Sequence, residues 1–159
     1  EGGIREPMLI KWPGVAKPGM ECDTPVISTD FYPTMLDMAG LDARPEQHVD
    51  GISLVPLLRG DTLARRPLFW HYPHYSNQGG KPGAAVRFGN LKLIEFFEDH
   101  RVELYVLSAD PGESANLAEQ LPQQRDALLQ MLHRWQVSTG AEGMDPNPAY
   151  EPGYRKNDR

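Results

Sequence analysis

The chain of 159 residues contains a single cysteine, Cys22, so no disulfide bond can form within it. The single cysteine therefore does not indicate whether the protein resides in an oxidising or a reducing compartment. A solitary cysteine more often packs as a small hydrophobic residue than acts as a reactive thiol, and we expect that role for Cys22.

Positive charge is also scarce, because 16 Lys and Arg stand against 22 Asp and Glu and the formal net charge is −6. A phosphate backbone requires a basic binding face, so nucleic acid is not expected as a partner. No apolar stretch reaches the ~18 residues of a membrane-spanning helix, so membrane insertion is not expected either. The chain does contain 15 Gly and 15 Pro, which predict short elements joined by tight turns.

Residues 1–63 alternate strand and helix signals, as the edge of an α/β domain does. The apolar run at 8–12 predicts a buried strand that ends in a Pro-Gly turn. Residues 28–30 can cap a helix whose apolar positions continue at helical spacing to Gly40. A second, shorter helix is predicted within residues 50–60. One strand and two helices cannot close a core, which indicates that another segment covers this region.

Residues 64–140 follow a different pattern. Apolar and aromatic runs at 68–72, 84–88, 91–97 and 102–107 are separated by short turns, which predicts a four-stranded antiparallel sheet. The pair Gly89-Asn90 predicts a type II′ hairpin. A helix beginning at Pro122 carries an apolar stripe, so we expect it to cover one face of the sheet, with Trp70 and Trp135 between the two. Residues 141–159 predict an extended tail.

Seven segments of the chain occur in the order in which type I sulfatases have them. They are EGGIREP at 1–7, WPG at 12–14, TDFYPTMLDMAG at 29–40, DGISLVPLL at 50–58, RFGNLKLI at 87–94, ELYVLSADPGE at 103–113 and NLA at 116–118. Each segment is short, but together they extend over most of residues 1–140. The chain therefore resembles the C-terminal portion of an arylsulfatase-like enzyme of the alkaline phosphatase superfamily.

This resemblance implies an α/β fold in which residues 1–63 form the edge of the catalytic domain. Residues 64–140 would form a small antiparallel sheet packed on a C-terminal helix. The implied activity is hydrolysis of a sulfate ester, on a sulfated small molecule or sugar, by a formylglycine nucleophile and a calcium ion. The family is often exported, periplasmic or lysosomal, but localisation cannot be read from these residues, and homo-oligomerisation is left open.

The catalytic groups that the resemblance implies have no match in these residues. Cys22 lies outside a Cys/Ser-x-Pro-x-Arg motif, and no paired Asp or Asp-Asn motif matches the calcium site. The lysine that contacts sulfate in the family would fall just before Glu1. We therefore assign no catalytic residue and no metal ligand here, and expect them in an upstream part of the same protein. The chain alone is expected to be inactive.

Three side chains are candidates for substrate contact. His71 and His74 follow a strand end and precede a Gly-rich loop, so they could face a neighbouring cleft, where imidazole suits a sulfated sugar. Plain packing is the alternative, and a His-x-x-His metal site is disfavoured by Pro73 and the lack of a third ligand. Arg5 would contribute to the positive field of the sulfate pocket, or form a structural ion pair with Glu1.

Arg87 and Lys92 face each other across the predicted hairpin. They suggest an anion patch or, more simply, a polar sheet face with Glu95 and Glu103 nearby.

Two other functions stay open at this point. One is a related phosphoester or phosphonate-ester hydrolase, which the upstream motif would distinguish from a sulfatase. The other is a stand-alone binding or structural module that does not catalyse. A complete module would close its core, whereas exposed apolar surface at residues 8–10 and along the helix that follows Asp30 would argue against it.

Overall fold

The computed structural model describes residues 1–77, 79–145 and 147–149. Its elements, in chain order, are a short 3-10 helix Ser28–Asp30, α1 Phe31–Met38, α2 Val55–Arg59, β1 Pro67–Tyr72, β2 Gly83–Phe88, β3 Leu91–Phe96, β4 Val102–Val106 and α3 Pro122–Thr139. None of the helices within this part of the chain is long and apolar enough to cross a membrane. Residues 150–159 of the predicted tail lie outside the described residues.

The four strands form one antiparallel sheet in the order β1-β2-β3-β4, which confirms the prediction. Phe88 pairs with Leu91, so Gly89 and Asn90 form the two-residue loop between β2 and β3. Gly89 has a φ of 62°, as the first loop residue of a type II′ turn requires. Short loops of this kind place consecutive strands side by side.

The core lies between one face of the sheet and α3. Val86 and Leu93 are fully buried in the sheet, and Leu132 of α3 is fully buried against that face. At its edge the ring of Phe69 stacks on Trp135, with centroids 4.7 Å apart. The prediction that α3 covers the sheet is thus confirmed.

Trp70 does not pack between the sheet and α3, contrary to the prediction. Successive side chains of a strand point to opposite faces, so Trp70 faces away from the helix when Phe69 faces toward it. In the register, Trp70 pairs with Ala85 and Phe69 with Val86, the core residue. Because Phe69 and Trp70 are adjacent aromatic residues, the sequence does not indicate which of the two contacts the helix.

The predicted strand at residues 8–12 is absent from the structure. This segment has no regular secondary structure, and Leu9 is 98% exposed. A strand needs a neighbour for its backbone N–H and C=O groups, and no strand of the described part of the chain lies beside this one.

The helices of the first region form where the sequence predicts them. α1 spans Phe31–Met38 and is followed by Gly40 with a φ of 67°, and α2 ends before Gly60 with a φ of 92°. A left-handed residue after a helix favours glycine, which has no Cβ to clash. These two glycines therefore fix where both helices end.

Asp30 joins α1 to the segment that leads into the sheet. Its side chain is fully buried, accepts hydrogen bonds from the backbone N–H groups of Ile27 (3.0 Å) and Ile52 (3.1 Å), and forms an ion pair with Arg66. Thr34 adds to the junction, because its hydroxyl accepts a hydrogen bond from the backbone N–H of Leu54 at 2.9 Å. The division of the chain at residues 63 and 64 stays a prediction.

Candidate functional site

His71 lies on the α3 side of β1, where neighbours engage both of its ring nitrogens. Nε2 is 2.7 Å from the carbonyl oxygen of Glu142, and Nδ1 is 3.3 Å from the side-chain amide of Gln136. The ring also contacts Phe97, with centroids 5.3 Å apart. These contacts hold the end of α3 and the following segment against the sheet.

His74 is placed differently, in an exposed loop after β1. Its ring makes an edge contact with Tyr72 at a centroid distance of 5.3 Å, and Tyr72 is 52% exposed. Tyr75 is also exposed, and its hydroxyl donates to Glu98 at 3.0 Å. The structure thus places the two histidines in different surroundings and brings the exposed ring of Tyr72 against His74.

Glu98 ties this aromatic loop to the β3–β4 turn. Lys81 forms an ion pair with Glu98 at 3.0 Å, and this bond, with a smaller contribution from Tyr75, lowers the pKa of the Glu98 carboxyl. The ionised Glu98 carboxylate binds both Lys81 and Tyr75. The loop that carries His74 is therefore attached at two points to the β3–β4 turn.

Arg5 is exposed and does not pair with Glu1. The Glu1 carboxylate instead contacts Lys92 at 3.3 Å and Arg87 at 3.5 Å. The predicted Glu1–Arg5 ion pair is therefore replaced by contacts to the sheet, which leaves the Arg5 guanidinium at the surface.

A buried ionic cluster occupies the sheet face opposite α3. It consists of Glu1, Arg87, Lys92 and Glu113, and the Lys92 side chain is 5% exposed. Lys92 Nζ lies 2.5 Å from Glu113 Oε1. Burial is the largest single influence and raises the pKa of Glu113, but the hydrogen bonds and positive charges of Lys92 and the amino group of residue 1 together outweigh it, so the pKa is lowered.

Sequence reasoning correctly placed Arg87 opposite Lys92 but missed the two acidic partners. It also placed Glu95 beside them. Glu95 instead lies on the α3 face, where its carboxylate is 2.7 Å from His133. The signal that could have revealed this was the register, because Glu95 is an odd number of residues from Lys92 and so faces the other side.

The described residues hold no group of three or more His, Cys, Asp or Glu side chains that could bind a metal ion. Cys22 is a free, exposed thiol, so the prediction that it packs in the interior is wrong. The exposed His74 loop, Arg5 and the ionic cluster are thus polar features of this part of the chain that are candidates for a functional role.

Comparison with known proteins places these features in a family. Residues 1–138 match the family described as N-sulphoglucosamine sulphohydrolase, C-terminal. A sulfatase of Formosa agariphila is 36% identical over 89% of this chain and 28% of its own length. An N-acetylglucosamine-6-O-sulfatase of Bacteroides thetaiotaomicron is 33% identical over 83% of this chain and 25% of its own, and human arylsulfatase A is 32% identical over 86% and 31%.

Solved structures agree with these relatives. A structure determined in complex with its substrate D-glucosamine-2-N,6-O-disulfate superposes with a TM-score of 0.60 at 31% identity, covering 70% of this chain and 24% of that one. A 2-O GAG sulfatase gives a TM-score of 0.56 at 29% identity over 75% and 27%. A phosphonate monoester hydrolase of Silicibacter pomeroyi also gives 0.56, at 25% identity over 85% and 28%.

The chain spans between a quarter and a third of the length of the relatives described above. The family match and most of these relatives are sulfatases, so the phosphonate-hydrolase alternative and the stand-alone module are not favoured. The chain belongs to the family N-sulphoglucosamine sulphohydrolase, C-terminal, and corresponds to the C-terminal portion of a type I sulfatase.

Proposed function

We propose that the protein containing this chain hydrolyses a sulfate ester, and that this portion completes the fold and supplies part of the rim around the substrate. The match of residues 1–138 to a sulfatase C-terminal family carries the proposal. The sulfatases among the relatives include enzymes named for N-acetylglucosamine-6-O-sulfate and aryl sulfates, which supports a sulfated sugar or small molecule as the substrate class.

Exposed apolar side chains in the first region support the role in completing the fold. Leu9, Met35 and Leu41 are 98%, 59% and 61% exposed, and Phe31 is 44% exposed. Large apolar side chains that stay exposed in one region of a chain are typical of an interaction face. Since the relatives are three to four times longer than the match, the partner we propose is the upstream catalytic part of the same protein.

We place the formylglycine nucleophile and the calcium ion in that upstream part. Calcium is held by six to eight oxygen ligands, and the described residues offer no cluster with which to hold it. Cys22 lies in the sequence Glu-Cys-Asp-Thr-Pro, which lacks the Pro and Arg of the formylglycine motif. The side chains of this chain therefore act by positioning and binding, without a catalytic step of their own.

Among the candidate rim residues, His74 and Arg5 fit substrate contact by their exposure, whereas His71 fits a supporting role. His74 and Tyr75 lie in one exposed loop, and the exposed ring of Tyr72 at the end of β1 contacts His74. Aromatic faces and an imidazole can stack on a sugar and donate hydrogen bonds to it. His71 holds the base of the same loop through its contacts to Gln136 and Glu142.

The proposal is tested with the full-length protein by measuring release of sulfate from an aryl sulfate and from a glucosamine sulfate. We expect hydrolysis of at least one of them, and a lower kcat/KM on an aryl phosphonate monoester. The superposition with a phosphonate monoester hydrolase makes that comparison informative. Preference for the phosphonate ester, or no sulfate release from a correctly folded full-length protein, would overturn the proposal.

A parallel assay of residues 1–159 alone is expected to show no turnover of either sulfate ester. Hydrolysis by this portion alone would show that the nucleophile is not confined to the upstream part.

A further inference from the structure

A cavity of about 270 Å³ lies between three segments that are distant in sequence. Its walls are the loop at 23–25, the linker at 63–66 and the β2–β3 turn, together with Leu68 and Arg87. Three of the lining side chains are arginines (Arg65, Arg66 and Arg87), against one lining carboxylate, Asp23. The cavity is therefore rich in guanidinium groups although the chain as a whole is acidic.

Two of the three arginines are fixed by neighbours. Arg66 forms an ion pair with the buried Asp30 and donates from Nη1 to the carbonyl oxygen of Asp50 at 3.2 Å. Arg87 donates from Nε to the carbonyl oxygen of Gly89 at 3.2 Å, and its Nη1 is 3.5 Å from the Glu1 carboxylate. These contacts pre-organise two walls of the cavity.

Among the described residues, the third arginine, Arg65, has no carboxylate partner. Neither Arg65 nor Asp23 forms an ion pair within 4.0 Å among residues 1–77, 79–145 and 147–149. The Arg65 guanidinium lies over the β2–β3 turn, where a Cβ at Gly89 would come within 3.3 Å of its Nη1. The absence of a side chain at Gly89 therefore makes room for the Arg65 guanidinium. The positive φ of Gly89, 62°, is in addition the backbone angle that the turn requires.

We propose that this cavity binds a tetrahedral oxyanion, with Arg65 as its main ligand and Arg87 beside it. A guanidinium presents a planar fork of N–H donors that matches two oxygens of such a group. Asp30 and Glu1 partner the other two arginines, so Arg65 is the lining guanidinium that has no carboxylate within 4.0 Å among the described residues. Asp23 also lines the cavity, and its carboxylate opposes the binding of an anion there. An anion bound there would lie among three guanidinium groups, of which those of Arg66 and Arg87 are held by hydrogen bonds and ion pairs.

Two sources can supply this anion. One is a second sulfate group on a polysulfated sugar, and this source rests on the proposed function. The other is free inorganic sulfate, which requires no catalysis. Both sources present the same sulfate oxygens to Arg65. The experiment therefore has two arms, a titration with free sulfate and a comparison of KM for two sulfated sugars.

The first arm is calorimetric titration of the full-length protein with sodium sulfate, at an ionic strength held constant with sodium chloride. We expect Arg65→Gln to lose one sulfate site or to weaken it about tenfold, as loss of a charged hydrogen-bonding partner predicts. Arg65→Lys should be intermediate, because it keeps the charge but not the fork. The matched control is Arg134→Gln on the exposed side of α3, which should leave the isotherm unchanged.

The second arm compares KM for a monosulfated and a disulfated glucosamine. If the anion is a substrate sulfate, Arg65→Gln raises KM about tenfold for the disulfated sugar and leaves the monosulfated one unchanged. If it is free sulfate, the isotherm changes and neither KM does.

Coincident isotherms and unchanged KM values for wild type and Arg65→Gln, at equal melting temperatures, would overturn the proposed anion site. Failure of the proposed function looks different, since the wild type would then hydrolyse neither sugar while the titration remained readable.

Discussion

At the scale of single residues, buried charged groups join parts of the chain that are far apart in sequence. Asp30 connects α1 to the linker before β1, and Lys92 connects the sheet to Glu1 and Glu113. A buried charge is costly unless it is paired and hydrogen-bonded, so each of these contacts fixes the relative position of its segments. Removing one partner leaves the other uncompensated.

Replacing Asp30 with Ala should destabilise the protein by about 3 kcal/mol. The change leaves Arg66 without its carboxylate and two backbone N–H groups without an acceptor. Urea unfolding measures the effect. The matched control, Asp42→Ala at an exposed position, should change stability by less than about 0.5 kcal/mol. Equal effects of the two variants would contradict the role given to Asp30.

Asp110 should make the turn before α3 sensitive to acid. Backbone N–H groups of Ala115 and Ser114 donate to its carboxylate, which lowers its pKa below the ordinary 3.8. Because the folded-state pKa is lowered, the stabilisation is present above the unfolded pKa and is lost as pH falls through the folded value.

Hydrogen exchange at the amides of Ser114 and Ala115 tests this, after correction for intrinsic rates. We expect Asp110→Asn to reduce protection at pH 6, with the difference from wild type shrinking below about pH 4. A difference that persists unchanged down to pH 2 would show that the carboxylate charge is not responsible.

The two histidines should respond differently to replacement by alanine in the full-length enzyme. His74→Ala should raise KM several-fold with little change in melting temperature, because His74 is exposed in the proposed rim. His71→Ala should lower the melting temperature, because it removes contacts to Gln136, Glu142 and Phe97. Steady-state kinetics and thermal unfolding give the two readouts. Unchanged kinetics in His74→Ala would remove His74 from the rim.

At the scale of elements, the sheet and α3 form the part of the chain whose core is closed. The buried residues of the core come from β2, β3, β4 and α3, with Ala118 in the preceding turn. Each strand pairs with the next in sequence, through loops at residues 73–82, 89–90 and 97–101, so the strand contacts of this unit join neighbouring parts of the chain.

Leu132→Ala should cost about 2–5 kcal/mol, because the side chain is fully buried between α3 and the sheet and its removal leaves a cavity. Val137→Ala on the same helix is the matched control, since Val137 is 83% exposed and should cost less than about 0.5 kcal/mol. Chemical denaturation of both variants decides whether α3 packs as described.

At the scale of the whole molecule, the N-terminal region leaves many apolar side chains exposed, whereas the sheet and α3 bury theirs. Large apolar side chains are exposed mainly before residue 50, where Leu9, Met35, Leu41 and Val49 are 98%, 59%, 61% and 81% exposed. The relatives are three to four times longer than the match, and their additional length is the source we propose for the missing cover.

Leu9→Ala therefore has different expected effects in two settings. In residues 1–159 alone it should change stability by less than about 0.5 kcal/mol, since the side chain is exposed. In the full-length protein it should cost about 2–5 kcal/mol, because a buried leucine is then truncated. Thermal or urea unfolding of wild type and Leu9→Ala, in residues 1–159 alone and in the full-length protein, measures the two changes in stability. An equally small effect in both would leave residues 8–10 at the surface of the whole protein and refute the proposed cover.

Much of this structure could be predicted from sequence because its signals are local. Gly40 and Gly60 end two helices through left-handed backbone that favours glycine, and Gly89 starts the hairpin loop. The alternation in β2 to β4 predicts the strand pairing, and the stripe on α3 predicts its buried face. These features depend on residues within a few positions of one another.

The wrong predictions concern contacts between distant segments. Residues 8–12 have the composition of a strand, but a strand forms only beside a partner, and the described chain supplies none there. Trp70 and Phe69 are both aromatic, and the register alone decides that Phe69 meets α3. The same holds for Glu1, whose partner is Lys92 rather than the nearby Arg5.

The sequence by itself determined the family, the helix ends and the antiparallel sheet, because motif order, turn glycines and side-chain periodicity are written along the chain. Tertiary structure decided which histidine is exposed, which carboxylates compensate Lys92, and that three arginines meet in one cavity. The physical reason is distance, since these properties arise from groups up to 112 positions apart that only folding brings within contact range.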